Sequence, residues 1–126
     1  MFGCSIGGDG LQVALACDLR IASSDAIFSI PAVKEGVAAY IATVRLTRLI
    51  GAAAAKELCL LGRRYSAEEA RTLHLVTDVV SPNTLEERAL ALVQELLDIP
   101  FPALLYTKRQ IDRACSDTAG GDDRCV

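Results

Sequence analysis

The stretch GGDGLQVALACDLRIAS, residues 7–23, places three glycines directly before a compact apolar segment. From residue 10 to residue 17 the side chains are apolar almost all round, which predicts a short buried helix. The residues that follow, 18–23, have the composition of a strand. Glycine lets another group come close to the backbone. The turn therefore fits either an anion site made of backbone N–H groups or an ordinary tight turn that packs well.

Strand and helix signals alternate after this turn. Gly51 and Gly62 are natural helix stops, and the S-x-x-E pattern at Ser66 and the T-x-x-E pattern at Thr84 predict two capping boxes. The predicted elements are a strand in AIFSI (26–30), helices over 39–49 and 52–61, a brief helix from Ser66 to about His74, a strand in LVTDVV (75–80), a helix from Thr84 to about Asp98 and a last helix over 103–115.

The first part of the chain mixes strands with helices, whereas the rest is helical. This order predicts an α/β unit over residues 1–82, followed by a helical segment over residues 83–115. The last residues, 116–126, read SDTAGGDDRCV. They are polar and turn-forming with little to pack, so we predict that this tail is disordered.

Composition excludes several classes of function. The net charge is -3 and only 5% of residues are aromatic, so neither a basic groove nor a base-stacking platform for nucleic acid is expected. The longest apolar stretch, residues 46–61, is interrupted by charged residues and predicts no membrane span.

Five cysteines without a C-x-x-C motif, and a single histidine, predict reduced thiols in a cytoplasmic protein and no metal site. We expect Cys17 and Cys59 to be buried as small apolar residues.

The glycine turn and its continuation resemble the signature of the crotonase superfamily, the enoyl-CoA hydratases and isomerases. The resemblance extends in order through RLTRLIG (45–51), AKELCLLGRRYSAEEA (55–70) and LVTDVVSP (75–82) and covers nearly the whole chain, to about Cys115. It implies a partial crotonase-type ββα spiral, here residues 1–82 as the acyl-CoA-binding half, with helices after it. The turn GVAAYIAT (36–43) is similar to that of the dienoyl-CoA isomerase branch.

The resemblance implies that a backbone N–H at Asp9, between Gly8 and Gly10, holds the thioester oxygen of an acyl-CoA as in an oxyanion hole. It also implies that Lys108 lies near the coenzyme A phosphates. Family members carry a long N-terminal portion that supplies the other oxyanion N–H. Coenzyme A would enter as part of the substrate, and no separate cofactor is expected.

The carboxylates that the family uses for proton transfer are all replaced. The first acid position is Gln12, the second is Ala32 after Pro31, and the aspartate of the dienoyl isomerase branch is Tyr40. An amide does not exchange a proton near neutral pH, and a tyrosine with a pKa near 10 needs strong tuning to do so. We therefore expect an impaired catalyst that shows no measurable hydratase turnover by itself.

Three hypotheses follow for the function. The chain is an enoyl-CoA hydratase or isomerase that hydrates an acyl-CoA thioester or shifts its double bond. Alternatively, it is a non-catalytic acyl-CoA binder or partner subunit, or a truncated fragment without activity of its own. The resemblance implies a homotrimer, or a hetero-oligomer with a full-length paralogue. For His74, a structural role at a helix C-terminus is favoured over catalysis.

Overall fold

The computed structural model describes residues 5–7, 9–30, 34, 36 and 40–117. The chain divides into two compact units, Met1–Ala89 and Leu90–Val126, and each is described by itself. The five strands found among the described residues all belong to the first unit, which has an α/β architecture, as the sequence predicts. The segment boundary after residue 82 stays a prediction.

Two small sheets organise the first unit. Strands β1 (Ser5–Gly7), β3 (Ile27–Ser29) and β4 (Arg64–Ser66) form one sheet in the order β1-β3-β4, with β1 parallel and β4 antiparallel to β3. Strands β2 (Ile21–Ser23) and β5 (Asp78–Val80) pair in parallel to form the other. The sheets therefore bring residues together that are far apart in the sequence.

The predicted strands in 18–23, 26–30 and 75–80 are confirmed as β2, β3 and β5. Strands β1 and β4 were not predicted. Each has only three residues, and their sequences, SIG and RYS, carry no run of β-branched or aromatic residues. They are strands because β3 lies between them and pairs with both.

The helices are α1 (Asp9–Leu15), α2 (Tyr40–Leu61), α3 (Ala67–Thr72), α4 (Leu85–Leu97) and α5 (Phe101–Asp117), with a 3₁₀ turn over Pro82–Thr84. Helix α2 is broken at Gly51, where φ is 78° and ψ is 162°. Gly62, with φ of 57°, follows its last residue. The two helices and the two glycine stops predicted for this region are thus confirmed.

The core of the first unit gathers apolar side chains from both sheets and from helices α1, α2 and α3. The largest of them are less than 2% exposed: Phe28, Leu11, Ile30, Leu46, Leu58 and Leu75. Cys59 belongs to the same core, as predicted, and burial raises the pKa of its thiol.

Helix α1 is buried on one side only, so the prediction of an apolar helix buried all round is wrong. Leu11, Ala14 and Leu15 are in the core, but Val13 is 66% exposed. Cys17 is also exposed, contrary to the prediction. The reason is that the helix ends at Leu15, and the next two N–H groups bond three residues back, 3.1 Å from the carbonyls of Val13 and Ala14. This tightening carries Cys17 out of the helix and into solvent.

The capping box at the start of α3 is confirmed. The Ser66 hydroxyl accepts from the Glu69 N–H at 3.3 Å, and a Glu69 carboxylate oxygen accepts from the Ser66 N–H at 2.8 Å. The hydrogen bonds from Ser66 lower the pKa of Glu69.

The second predicted capping box is wrong. The Thr84 hydroxyl donates back to the Ser81 carbonyl at 3.2 Å and lies 2.9 Å from the Ser81 hydroxyl. Pro82 begins a 3₁₀ turn before α4, with Ser81 as its N-cap residue. Thr84 is consequently inside that turn.

The second unit contains the end of α4 and all of α5. A Pro100 carbonyl accepts from the Leu104 N–H at 3.2 Å near the start of α5, and this helix continues two residues beyond the predicted end at residue 115. Residues 118–126 of the predicted disordered tail lie outside the described residues. Within the part of the chain that is described, no single helix is long and apolar enough to cross a membrane, and α4 with α5 passes that test only as a bent pair.

Helix α3 ends in a Schellman motif that places His74 in the left-handed region, with φ of 58°. The His74 N–H bonds the Arg71 carbonyl at 2.9 Å, and the Leu75 N–H bonds the Ala70 carbonyl at 2.8 Å. This is the two-bond pattern in which glycine is preferred, because a Cβ is unfavourable at that φ. The structural role predicted for His74 therefore has a backbone basis.

We predict that His74→Gly raises the free energy of unfolding by about 1 kcal/mol, since it removes the cost of holding a Cβ in the left-handed region. Chemical denaturation of the two proteins measures this difference. The matched control is Thr72→Gly, two residues earlier and at the last position of α3, which should lower the stability instead. A loss of stability in His74→Gly would contradict the prediction.

Candidate functional site

The predicted anion site lies at the start of α1. Asp9 and Gly10 are the first two residues of this helix, so their N–H groups have no acceptor within it. Gly10 is exposed. Gly8 lies outside the described residues. The start of α1 thus offers two backbone donors, of which the one at Gly10 belongs to an exposed residue.

The structure places two of the three replaced acid positions. Gln12 is half-buried on α1, and Tyr40 is the first residue of α2, the helix against which α1 packs. Ala32 lies outside the described residues. Helix α1 therefore carries Asp9, Gly10 and Gln12 within one turn. The amide side chain of Gln12 can form hydrogen bonds but does not transfer a proton.

Lys108 lies in the second unit, on α5. Its ammonium nitrogen is 3.7 Å from a carboxylate oxygen of Asp112, one helical turn later, and both side chains are about half exposed. An open depression of about 480 Å³ on the same helix is lined by Tyr106, Arg109, Gln110, Asp112 and Arg113. The predicted contact of Lys108 with coenzyme A phosphates stays a prediction.

Sequence reasoning missed Arg20, which is only 7% exposed. Its Nε donates to the Leu75 carbonyl at 2.6 Å, and one terminal nitrogen donates to the Cys17 carbonyl at 2.5 Å. Leu75 follows α3 and Cys17 follows α1. One guanidinium therefore bonds the chain where each of two helices has just ended.

The backbone of Arg20 also bonds the segment before β5. Its N–H donates to the Thr77 hydroxyl at 3.2 Å, and its carbonyl accepts from the Thr77 N–H at 2.7 Å. Burial lowers the pKa of the guanidinium, while the nearby Cys17 and Asp18 act in the opposite direction. A lone arginine between Leu19 and Ile21, in a predicted strand, is the signal that points to such a residue.

A second open depression, of about 420 Å³, is lined by Ala53, Ala54, Glu57, Tyr65, Glu69, Thr72 and Leu73. A Glu57 carboxylate oxygen accepts from Arg63 at 2.6 Å and from the Tyr65 hydroxyl at 3.2 Å. Burial and the bond to Glu57 raise the pKa of Tyr65. Since Tyr65 stays protonated and Glu57 is already paired, this arrangement is that of a structural hydrogen-bond network.

Strand β5 is tied to α4 by a partly buried ion pair. The Arg88 Nε lies 2.8 Å from a carboxylate oxygen of Asp78, and the other oxygen accepts from the Val79 N–H at 2.9 Å. The bond from Arg88 is the main reason that the pKa of Asp78 is lowered. Among the described residues, no group of three or more His, Cys, Asp or Glu side chains could hold a metal ion.

We predict that Asp78→Asn lowers the free energy of unfolding at neutral pH by about 1 kcal/mol. Because the folded-state pKa of Asp78 is lowered, its contribution is fully present above the unfolded pKa of about 3.9. It is then lost as the pH falls through the folded pKa. The stability difference between the two proteins should therefore be constant near neutral pH and shrink as the pH falls below about 3.9, which denaturation curves over this range measure.

The control for this experiment is Asp112→Asn, which removes a carboxylate from a more exposed pair with a longer separation. We expect little change in stability from it at any pH. A stability difference between wild type and Asp78→Asn that is independent of pH would contradict the assignment of the effect to the charge of Asp78.

Comparison with known proteins adds a family. The model of the family described as enoyl-CoA hydratase/isomerase matches residues 1–121. The Mus musculus protein named enoyl-CoA hydratase domain-containing protein 2, mitochondrial, is 42% identical over an alignment 127 residues long, which covers 96% of this chain and 43% of the mouse protein. The Clostridioides difficile short-chain-enoyl-CoA hydratase is 42% identical over 103 residues, which are 81% of this chain and 66% of that protein.

Solved structures are similar over the same region. Enoyl-CoA hydratase subunit I from Geobacillus kaustophilus HTA426 has a TM-score of 0.84 at 39% identity. The match covers 90% of this chain and 44% of the Geobacillus kaustophilus chain. A Thermobifida fusca YX protein described as an enoyl-CoA hydratase was solved in complex with acetoacetyl-CoA. It has a TM-score of 0.84 at 34% identity, and the match covers 96% of this chain and 46% of the Thermobifida fusca chain. The chain thus spans less than half the length of the mouse relative and of both solved structures.

Proposed function

The chain belongs to the enoyl-CoA hydratase/isomerase family, the crotonase superfamily, and from this premise we propose that it binds acyl-CoA thioesters at the start of α1. The observation that carries the proposal is the pair of backbone N–H groups at Asp9 and Gly10, which have no acceptor within the helix. The Thermobifida fusca relative was solved in complex with acetoacetyl-CoA, which supports this class of ligand. Coenzyme A would arrive as part of the thioester, so the proposal needs no other cofactor.

The bound group would be the thioester oxygen. As a thioester becomes an enolate, negative charge develops on that oxygen, and a fixed N–H donor stabilises it. The donor at Asp9 belongs to the backbone, so it is present although the side chain is not the glycine that the family resemblance implies. The Asp9 carboxylate brings a negative charge to this residue, and we expect that charge to weaken the binding of an anion.

We predict that acetoacetyl-CoA raises the midpoint of thermal unfolding of the purified chain. A ligand that binds only the native state stabilises it, by about 2.7 kcal/mol at a hundred times its dissociation constant. Asp9→Pro should weaken this binding about tenfold or more, because it removes the donor N–H at a helix position where proline is well tolerated. Asp9→Ala keeps the N–H, removes the charge and should bind more tightly than wild type.

The same unfolding measurement with free coenzyme A separates binding of the thioester from binding of the nucleotide part. If acetoacetyl-CoA leaves the unfolding midpoint unchanged, the proposal of an acyl-CoA site is wrong. If it raises the midpoint equally in wild type, Asp9→Pro and Asp9→Ala, acyl-CoA binding stands but its place at Asp9 does not.

The replaced acids lead us to propose binding without efficient hydration. Adding water to a 2-enoyl-CoA requires a group that takes a proton from water and a group that delivers one to carbon. The family positions for these groups hold Gln12 and Ala32, neither of which transfers protons. The remaining position is Tyr40, and an unperturbed tyrosine has a pKa of about 10, which is too high for an efficient general base near neutral pH.

We predict no measurable turnover when the purified chain is mixed with a short 2-enoyl-CoA. The loss of the conjugated enoyl absorbance measures hydration directly, and the Clostridioides difficile relative serves as the positive control under the same conditions. Turnover by this chain above the uncatalysed rate would overturn the proposal of impaired catalysis. Proton transfer would then have to come from Tyr40 or from groups outside the three replaced positions.

A second candidate, a partner subunit, is favoured by the surface of the second unit. Leu90, Val93 and Leu97 are spaced to lie on one face of α4, and each is more than half exposed. Phe101, at the start of α5, is 69% exposed. Burying exposed apolar surface of this kind against another protein lowers the free energy. We propose that these residues are where the chain joins further copies of itself or a longer paralogue.

A further inference from the structure

We propose that Arg20 is a positioning residue, which fixes the place of α1 by bonding the carbonyl groups that follow both α1 and α3. The bond to Cys17 holds the end of α1, and the bond to Leu75 holds the end of α3. The inference deepens the proposed function, because α1 begins with the N–H groups that would hold the thioester oxygen. The first measurement that tests it, amide hydrogen exchange, nevertheless does not depend on a ligand.

The geometry of the guanidinium explains why an arginine is suited to this place. Its N–H groups form a planar, rigid fork, so the two carbonyls that it bonds are held at a fixed separation. Carbonyls just after a helix carry partial negative charge, and a cation beside them is favourable. Arg20 is only 7% exposed, and a buried charge is tolerated only when it is bonded in this way.

The contribution of the side chain can be separated from that of the backbone. The backbone of Arg20 bonds Thr77 twice, and β2 pairs with β5 directly after it. None of these bonds needs the guanidinium. Replacing the side chain should therefore leave the β2–β5 pairing in place and release the connection to Cys17. That connection is the one that reaches α1.

Helix α1 is short enough for a change at its end to reach its start. It has seven residues, about 10 Å in length, and it buries Leu11, Ala14 and Leu15 while Val13 is exposed. A helix with so few buried contacts is held in part by the bond at Cys17. Because a misplacement of about 1 Å in a positioning group can cost about a hundredfold in rate, the orientation of α1 is important for a donor at Asp9.

The test compares Arg20→Met with the matched control Arg88→Met. Both remove a guanidinium from the first unit: that of Arg88 bonds Asp78 of β5, whereas that of Arg20 bonds the Leu75 carbonyl and the Cys17 carbonyl, the latter just after α1. Amide hydrogen exchange is measured over residues 13–17 and, as the internal reference, over residues 52–61 of α2. We expect exchange at 13–17 to rise at least tenfold in Arg20→Met relative to the reference, and to follow the reference in Arg88→Met.

The second readout is the binding of acetoacetyl-CoA, which can be followed by the near-ultraviolet absorbance of its enolate. We expect Arg20→Met to bind it at least tenfold more weakly than wild type, with less enolate absorbance in the bound fraction. Arg20→Lys keeps the charge and the apolar stem without the planar fork, so it should restore part of both readouts. If Arg20→Met does not fold, Arg20→Lys takes its place, with the same selective rise in exchange expected.

Equal rises in exchange at 13–17 and at 52–61 would mean that Arg20 only supports global stability, and would overturn the inference. Unchanged exchange at 13–17 would overturn it as well. A selective rise at 13–17 in a protein that binds no acetoacetyl-CoA, even as wild type, would uphold the positioning of α1 and reject the proposed acyl-CoA site. The two proposals can therefore fail separately.

Discussion

The parallel pairing of β2 with β5 closes the first unit. Residues 21–23 bond residues 78–80, so the intervening chain, with β3, α2, β4 and α3, forms a loop whose ends meet in one small sheet. The Ser24 N–H extends the pairing to the Val80 carbonyl at 2.8 Å, and the Asp78–Arg88 ion pair attaches α4 to the same strand. Such long-range pairing is entropically expensive to form, and the buried core of the unit offsets that cost.

Binding and proton transfer depend on different parts of a protein of this kind. A backbone N–H is present at every residue except proline, so an oxyanion donor persists through substitutions such as an aspartate in place of a glycine. A general acid or base requires one particular side chain with a suitable pKa. We therefore expect the replacements at Gln12, Ala32 and Tyr40 to affect proton transfer and to leave the backbone donors in place. This asymmetry is why we separate acyl-CoA binding from hydration.

The features that were predicted correctly from the sequence have local causes. Gly51 breaks α2 and Ser66 caps α3 because the conformations or bonds involved lie within a few residues of each position. The pattern of the glycine turn and the segments after it was sufficient to identify the family. A local signal also predicts a cap at Thr84, but the competing bond from Thr84 to Ser81 is local too, and Pro82 stands at the start of the 3₁₀ turn that contains Thr84.

The features that were missed depend on distant partners. The segment RYS is a strand because it pairs with β3, and nothing in its own sequence requires an extended conformation. Arg20 bonds a carbonyl that lies 55 residues away in the sequence. The exposure of Cys17 could not be read from an apolar run, because it depends on where α1 ends and on what covers the outer side of that helix.

The exposed apolar residues of α1 and α4 pose a common physical problem. Val13 is on one helix and Leu90, Val93 and Leu97 are on the other, each in a different compact unit. Water is a poor solvent for such surfaces, and their burial is favourable wherever polypeptide is available to cover them. More than half of the mouse relative lies outside the stretch matched by this chain. We therefore expect the outer side of α1 to require cover as much as α4 does, and an assembly that buries both would hold α1 from the side opposite to the core.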